Sequence, residues 1–322
     1  MIVATSDMQN SEREEKTALL KNAVLIAGPT ASGKSGLAAA TAEAIGGVVV
    51  NADSMQVYGV LDVLTARPGA AELARAPHHL YGHVSPERNY STGAWLRDVA
   101  GLAAKIGSER RFVFVGGTGL YFRALAGGLS EMPAIPQATR EHWRARLAAE
   151  GPERLHAELA RRDGEAAARL GPADGQRIVR ALEVMDHTAR PIGEWQSRRG
   201  RPLIDVASAA CLVIEPERAE LHRRIEARLD AMIEAGALEE VRALLALGLE
   251  PSLPAMKAIG VRELEAVISR KASIADAVEK AKAATRQYAK RQSTWFRHQL
   301  GPGWQKIPLD GQVEKIGLPV RD

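Results

Sequence analysis

The stretch Asn22-Ala23-Val24-Leu25-Ile26-Ala27-Gly28-Pro29-Thr30-Ala31-Ser32-Gly33-Lys34-Ser35 decides the fold. Its first part is a short apolar run that stops at a glycine, the pattern of a buried strand. Gly28 to Ser35 then match G-x-x-x-x-G-K-[ST] in full, and from Ser35 to Ile45 alanine and leucine recur at helical spacing. Strand, glycine-rich turn and helix in that order are the context a phosphate-binding loop requires. Glycines let the chain turn so that successive N–H groups of Gly28, Pro29, Thr30, Ala31, Ser32 and Gly33 and their neighbours, proline excepted, converge on phosphate oxygens at a helix N-terminus. Lys34 adds a point charge on a flexible stem, and the Ser35 hydroxyl can ligate Mg²⁺. A diphosphate or polyphosphate is bound here; the motif does not say which one.

Working outward, Gly47-Val48-Val49-Val50-Asn51, Arg111 to Gly117 and Ala210 to Ile214 read as further strands separated by helical stretches. That alternation predicts an α/β fold, a P-loop NTPase-like parallel sheet wound with helices. From about Pro136 to Arg199 the chain is rich in Ala, Arg, Glu and Leu at helical spacing, with no good strand. The expected organisation is a polar tail over 1–20, an α/β core over 21–130 and 208–322, and a helical insertion over 131–207. Arg218 to Leu247 and Val261 to Leu300 read as helices, broken around Glu250-Pro251-Ser252-Leu253-Pro254.

Composition sets outer limits. The 322 residues are 46% hydrophobic and 25% charged with a formal net charge of +4, so overall charge alone does not argue for nucleic acid. Met1 to Thr17 lacks a signal-peptide core, and no stretch reaches the ~18 apolar residues of a membrane helix. Cys211, the single cysteine, lies in an apolar run and reads as a buried, inert thiol. A soluble, cytoplasmic protein is expected. His78 and His79 have no accompanying Cys or carboxylate cluster and read as structural, not metal-binding. Trp143 and Trp195 read as helix-packing residues.

Asp53 follows the second strand directly, and in a wound sheet the carboxyl ends of the strands face the ligand crevice. A carboxylate there could hold Mg²⁺ through water or accept a proton from a nucleophile; capping the next helix is the bland alternative. The third strand ends Val115-Gly116-Gly117-Thr118, without the acid a nucleotide hydrolase would carry. At the far end, Lys280 to Leu300 contains no acid, and Arg286, Lys290, Ser293 and Arg297 share one helical face, which suits a phosphate backbone.

In sequence order the chain also carries Asp53-Ser54-Met55-Gln56-Val57-Tyr58, Ala66-Arg67-Pro68 with Pro77-His78-His79-Leu80, Gly116 to Phe122, Arg177 to Val184, Leu221 to Arg228 and Thr285 to Arg297. With the phosphate loop, this ordered set resembles the bacterial tRNA dimethylallyltransferases from about Asn22 to Arg297. The resemblance implies transfer of dimethylallyl from its diphosphate to N6 of the adenosine just 3′ of the anticodon (position 37), without ATP consumption. It implies that Thr30 to Ser35 grip the diphosphate, that Arg228 is a second clamp, and that Asp53 accepts a hydrogen bond or proton from the amine. Asp53, Lys34 and Arg228 are thus the implied catalytic residues, with Ser35 on Mg²⁺. Asp53, Ser54, Met55, Gln56, Thr118, Arg140, Gln176, Arg177, Ile178, Val179 and Arg180 are the implied contacts to tRNA, through its anticodon stem-loop. A monomer is expected. Leu64, Arg67 and Val261 depart from the family's usual glycine, lysine and tyrosine. The phosphate loop alone also allows an ATP-dependent small-molecule kinase.

Overall fold

The computed structural model describes residues 19–107, 109–198 and 200–308. Of the polar tail expected over 1–20, residues 1–18 lie outside the described residues, whereas Leu20 is fixed, bridging to Ile204 and donating its N–H to the Leu203 carbonyl at 2.9 Å. The chain divides into two compact units, one made of the residues up to Ala126 together with those from Pro202 on, the other Gly127–Arg201.

The first unit begins with β1 (Val24–Ala27), α1 (Lys34–Ile45), β2 (Val48–Asn51), α2 (Ala70–Arg75), β3 (His78–His79), α3 (Thr92–Ile106), β4 (Phe112–Gly116) and α4 (Gly119–Gly127). All pairings are parallel, and the six-stranded order is β3-β2-β4-β1-β5-β6, where β5 is Ala210–Ile214 and β6 is Gln305–Ile307. Alternation along β1 explains why it is apolar throughout: Leu25 and Ala27 pack with Trp95, Val99, Tyr121, Phe122 and Phe296 on one face. Val24 and Ile26 pack with Ala38, Ala42 and Ile45 of α1 on the other. Both faces of the parallel sheet are thereby covered, because the crossovers between parallel strands lay helices on them. Trp95 is fully buried yet satisfied, because its indole N–H donates to the Asn51 carbonyl at 2.9 Å and its ring stacks on Tyr121 at 4.1 Å.

Four strands match the sequence expectation. The edge strands β3 and β6 were not anticipated, since two- and three-residue segments carry no readable periodicity. His78 and His79 pair with Val49 and Val50, and His78 Nδ1 lies 2.8 Å from the Ala76 carbonyl. No group of three metal-ligating side chains occurs among the described residues. Cys211 is buried in β5, where burial pushes its thiol up to about 11. No described helix is long and apolar enough to cross a membrane.

The helices expected over Arg218 to Leu247 and Val261 to Leu300 are each two. α10 (Arg218–Glu234) and α11 (Ala237–Ala246) are separated at Gly236, whose φ of 95° breaks the helix; in chain order they follow those of the second unit, which we number α5 to α9. α12 (Val261–Ile268) and α13 (Ile274–Gln299) are separated before Ser273, which caps α13 by accepting from Asp276 N. Val261 is buried in the cluster these helices form with Val57, Tyr58 and Leu61.

The second unit is helical: α5 (Gln137–Glu150), α6 (Pro152–Arg162), α7 (Gly164–Arg169), α8 (Gly175–Thr188) and α9 (Ile192–Gln196). They pack around Trp143, Leu155, Leu159, Ile178, Leu182 and Ile192. Trp143 is a packing residue, with its indole N–H on Asp186 Oδ2 at 3.0 Å and Arg146 4.9 Å from its ring centroid.

At the end of β4 a side chain cannot be accommodated: a Cβ on Gly116 would lie 2.0 Å from the Ala52 carbonyl oxygen. Ala52 cannot yield, because its own N–H is held by the Val115 carbonyl at 2.7 Å. Gly116→Ala is therefore expected to destabilise the protein by roughly 1–3 kcal/mol, measured as a lower denaturation midpoint with unchanged slope.

Candidate active site at the carboxyl ends of the strands

The order of the sheet reverses at β1, with β4 on one side and β5 on the other, so a crevice opens beyond its carboxyl end. The phosphate loop occupies that place. Ala31 and Gly33 take positive φ values of 64° and 75°, which turns successive N–H groups inward. Lys34 is buried, and its ammonium donates to the Pro29 carbonyl at 3.1 Å across the loop. Burial pushes the Lys34 ammonium down to about 8, against the pull of the Asp53 charge and with a smaller push from Arg228. A cavity of about 350 Å³ lies over this loop, lined by Ala31 to Gly36 together with Arg67, Glu72, Arg224 and Arg228.

Arg228, on α10, donates through one terminal nitrogen to Thr30 Oγ1. Its Nε is buried and has no partner among the described residues. A buried cationic N–H without an acceptor is costly, and an anion on the loop would satisfy it. Arg228 also lines a second cavity of about 330 Å³ with Thr30, Asp53, Met55, Leu64, Met232 and Tyr288. One guanidinium is thus shared by a cationic cradle and a chamber with both apolar and polar walls.

Asp53 is placed by β2 and by Asn51, whose Oδ1 accepts from the Asp53 N–H at 2.8 Å. The Asp53 Oδ1 accepts from Met55 N–H at 2.9 Å, so it does make an Asx-type turn. Its Oδ2 has no protein donor among the described residues. Ser54 is fixed by Thr118, whose Oγ1 accepts from Ser54 N–H at 2.9 Å and lies 3.2 Å from Ser54 Oγ. Gln56 is turned inward, donating from Nε2 to the Thr65 and Ala66 carbonyls at 2.9 and 2.8 Å. The hydroxyls of Tyr121 and Tyr288 have pKa values raised by burial and then by the Asp53 charge, so both are neutral donors at physiological pH.

The departures from the family pattern have definite positions. Leu64 lines the chamber, and the Glu240 carboxylate accepts from the N–H groups of Asp62, Val63 and Leu64, pinning that loop. Arg67 donates to Asp62 at 2.8 Å and to the Gly59 carbonyl at 3.2 Å, at the rim of the phosphate cradle.

In the helical unit the implied RNA contacts divide. Ile178 and Val179 are buried in its core, so their side chains are unavailable to RNA; they follow the apolar stripe of α8 and not its outer face. Gln176, Arg177 and Arg180 are not buried; Arg177 pairs with Asp174 at 2.9 Å and Arg180 with Glu183 at 3.2 Å. Arg140 has a buried Nε without a partner among the described residues. The basic stripe expected on α13 is also partly committed: Arg286 pairs with Glu226 at 3.1 Å, and Ser293 Oγ donates to the Ala289 carbonyl. Lys290 and Arg291 instead line an open groove of about 580 Å³ beside Trp295 and His298.

Sequence reading missed the inner face of α13. Thr285, Tyr288, Gln292 and Trp295 recur at helical spacing one stripe over from the basic one, and polar residues on a buried stripe were the available signal. Thr285 and Tyr288 line the Asp53 chamber, as does Lys257 from the short turn before α12.

Residues 56–299 match the family model described as IPP transferase, and residues 21–81 match one described as isopentenyl transferase. The chain is 63% identical to a tRNA dimethylallyltransferase of Mesorhizobium japonicum, over 96% of each chain. It is 59% identical to one of a Chelativorans species, covering 90% of this chain and all of the relative. Among solved structures it is similar to a full-length tRNA isopentenylpyrophosphate transferase from Bacillus halodurans, at TM-score 0.64 and 29% identity over 92% of each chain. It is also similar to a eukaryotic dimethylallyltransferase described as acting on tRNA, at TM-score 0.73 and 25% identity, covering 90% of this chain and 74% of that one.

The position of Lys34 has a pH consequence. Below about 8 the ammonium is charged and ready for an anion; above it, binding must first recharge the group, so affinity falls. Lys34→Arg keeps its charge throughout. The ratio of inorganic diphosphate affinity, variant over wild type, is expected to rise roughly tenfold from pH 7 to pH 9, measured by calorimetry with the ligand's own ionisation cancelling.

Proposed function

The chain belongs to the IPP transferase family, and from that premise we propose that it prenylates tRNA as follows. Dimethylallyl diphosphate binds with its diphosphate on the phosphate loop, and the dimethylallyl group passes to N6 of the adenosine 3′-adjacent to the anticodon, position 37. Diphosphate is released. The observation that carries this reading is the shared position of Arg228, with a cationic cradle on one side and the Asp53 chamber on the other. Leaving group and acceptor meet across one guanidinium.

The steps follow from what the residues can do. The bond between C1 of the prenyl group and the bridging oxygen breaks as negative charge grows on the diphosphate. The loop N–H groups from Gly33 onward, the Lys34 ammonium and the unpartnered Nε of Arg228 would meet that charge, and such donors are worth most in a site closed to water. The apolar wall of the chamber, Met55, Leu64, Leu229 and Met232, receives the prenyl chain. The N6 lone pair of adenine forms the new bond to C1, and the free Oδ2 of Asp53 takes a hydrogen bond or the proton from the amine. Tyr288 stays neutral and does not compete for that proton.

The residues fit Mg²⁺. Ser35 lines the phosphate cavity and offers one hydroxyl oxygen, and an octahedral ion bound to a diphosphate needs few protein ligands. Bound there, Mg²⁺ would add charge neutralisation for the leaving group.

To reach the chamber the adenine must leave its stack. Ser54, Met55, Gln56 and Thr118 stand beside Asp53 and shape the base-proximal wall. The helical unit, with Arg140, Gln176, Arg177 and Arg180, is the proposed surface for the anticodon stem-loop, and the protein acts as a monomer in the cytoplasm. The kinase alternative is not favoured, because the relatives are named tRNA dimethylallyltransferases and β4 ends without an acid.

Purified protein with Mg²⁺, labelled dimethylallyl diphosphate and unmodified tRNA is expected to place label in the RNA without ATP. Asp53→Ala should lose roughly 100-fold or more in kcat while still binding inorganic diphosphate. Arg228→Ala should lose a similar factor and weaken diphosphate binding as well. ATP turnover with a small acceptor and no label in RNA would contradict the reading.

A further inference from the structure

The β1 and β4 strands run side by side with Ala27 opposite Gly116, and the last backbone bond between them is Gly28 N–H to the Gly116 carbonyl at 3.3 Å. Beyond that point the two chains part. One becomes the phosphate loop; the other becomes the Gly117-Thr118 turn that holds Ser54 and flanks Asp53. Among the described residues, one side chain bridges the gap by hydrogen bonds. Gln292 of α13 is 5% exposed. Its Oε1 accepts from Thr30 N–H at 2.8 Å and its Nε2 donates to the Gly117 carbonyl at 3.0 Å.

A primary amide has the donor and acceptor of a peptide unit, so Gln292 acts as one more rung between the strands where the ladder has ended. What it joins matters for the reaction. Thr30 is the residue to which Arg228 donates, so the rung reaches the leaving-group clamp in one step. On the other side, a Cβ placed on Gly117 would lie 2.1 Å from Gln292 Nε2 and 3.1 Å from Asp53 Oδ2. The amide and the free carboxylate oxygen therefore flank the same glycine, which has no side chain to keep them apart.

We propose, resting on the prenyl-transfer reading, that Gln292 is a positioning residue that sets the spacing between the donor loop and Asp53. It touches neither substrate. Its effect is on the geometry of attack: the amine on Asp53 and the diphosphate on the loop must lie on opposite sides of C1, and an error of about 1 Å in such an arrangement costs up to roughly 100-fold in rate.

The test uses the full chain with Gln292→Met and Gln292→Glu. Methionine has similar length and neither hydrogen bond. Its kcat is expected to fall at least roughly tenfold with a raised KM for dimethylallyl diphosphate, while tRNA affinity stays at the wild-type value. The glutamate variant distinguishes positioning from simple helix docking. When protonated it can accept from Thr30 and donate to Gly117, as the amide does; when ionised it opposes a carbonyl oxygen. Its kcat relative to wild type should therefore rise as pH falls from 8 to 6, whereas the same ratio for Gln292→Met stays flat. Wild-type kcat and KM in the methionine variant, or a flat ratio for the glutamate variant, would overturn the proposal. Should wild type itself place no label in RNA, the prenyl-transfer reading fails separately. Gln292 is then judged by inorganic diphosphate calorimetry: roughly tenfold weaker binding in Gln292→Met supports it, and unchanged affinity overturns it.

Discussion

The structure depends on a concentration of buried positive charge that the protein itself offsets only in part, through Asp53. Lys34 is buried under its own loop, Arg228 has a buried Nε with no acceptor among the described residues, and Ala31 and Gly33 are held in left-handed conformations. The buried cations, and Ala31 as a non-glycine residue at positive φ, are each unfavourable alone. Together they make a site whose deficit is met by a ligand carrying several negative oxygens. The parallel sheet makes the arrangement possible, because both its faces are covered and the loop beyond β1 is anchored in a rigid core.

Around that cradle the remaining parts are arranged by distance from the charge. Asp53 is near enough to hold Lys34 partly in its charged form and to add to the raised pKa that burial gives Tyr121 and Tyr288. It is itself oriented by two local hydrogen bonds, through Asn51 and Met55, that leave one oxygen free. The chamber beyond it sets an apolar wall of Met55, Leu64, Leu229 and Met232 against polar groups of Ser54, Thr65, Lys257, Thr285 and Arg291, so a hydrocarbon chain has one apolar side to lie on. A loop that elsewhere serves nucleoside triphosphates can in this way serve a prenyl diphosphate with no change in its own chemistry. The difference lies in what stands on the far side of Arg228.

Much of this was legible in the sequence. The phosphate loop, the four longer strands and the acid after β2 each carry a pattern that local rules interpret, because glycine, β-branched runs and strand-end acids act over a few residues. The edge strands at His78–His79 and Gln305–Ile307 are too short to have a period, and they form because a neighbouring strand offers them hydrogen bonds. The breaks at Gly236 and before Ser273 were readable from glycine and capping preferences but were masked by the strong helical composition on either side. Gln292 shows a different limit. Its two partners lie 262 and 175 residues away in the chain, so nothing near it in sequence announces a role. The stripe of Thr285, Tyr288, Gln292 and Trp295 marks a polar buried face, but only the fold reveals what that face meets. For Ile178 and Val179 a motif spanned both faces of one helix, and burial separates the residues that could meet RNA from those that hold the helix in place.

The most direct test of the central claim is a crystal structure with Mg²⁺ and an unreactive sulfur-bridged analogue of dimethylallyl diphosphate. The account predicts the diphosphate on the N–H groups of Ala31 and of Gly33 to Ser35, with the Thr30 N–H still on Gln292, one oxygen on the Nε of Arg228, and C1 of the prenyl group in the chamber facing Asp53 Oδ2. A diphosphate seated away from the loop, or a prenyl chain directed away from Asp53, would contradict it.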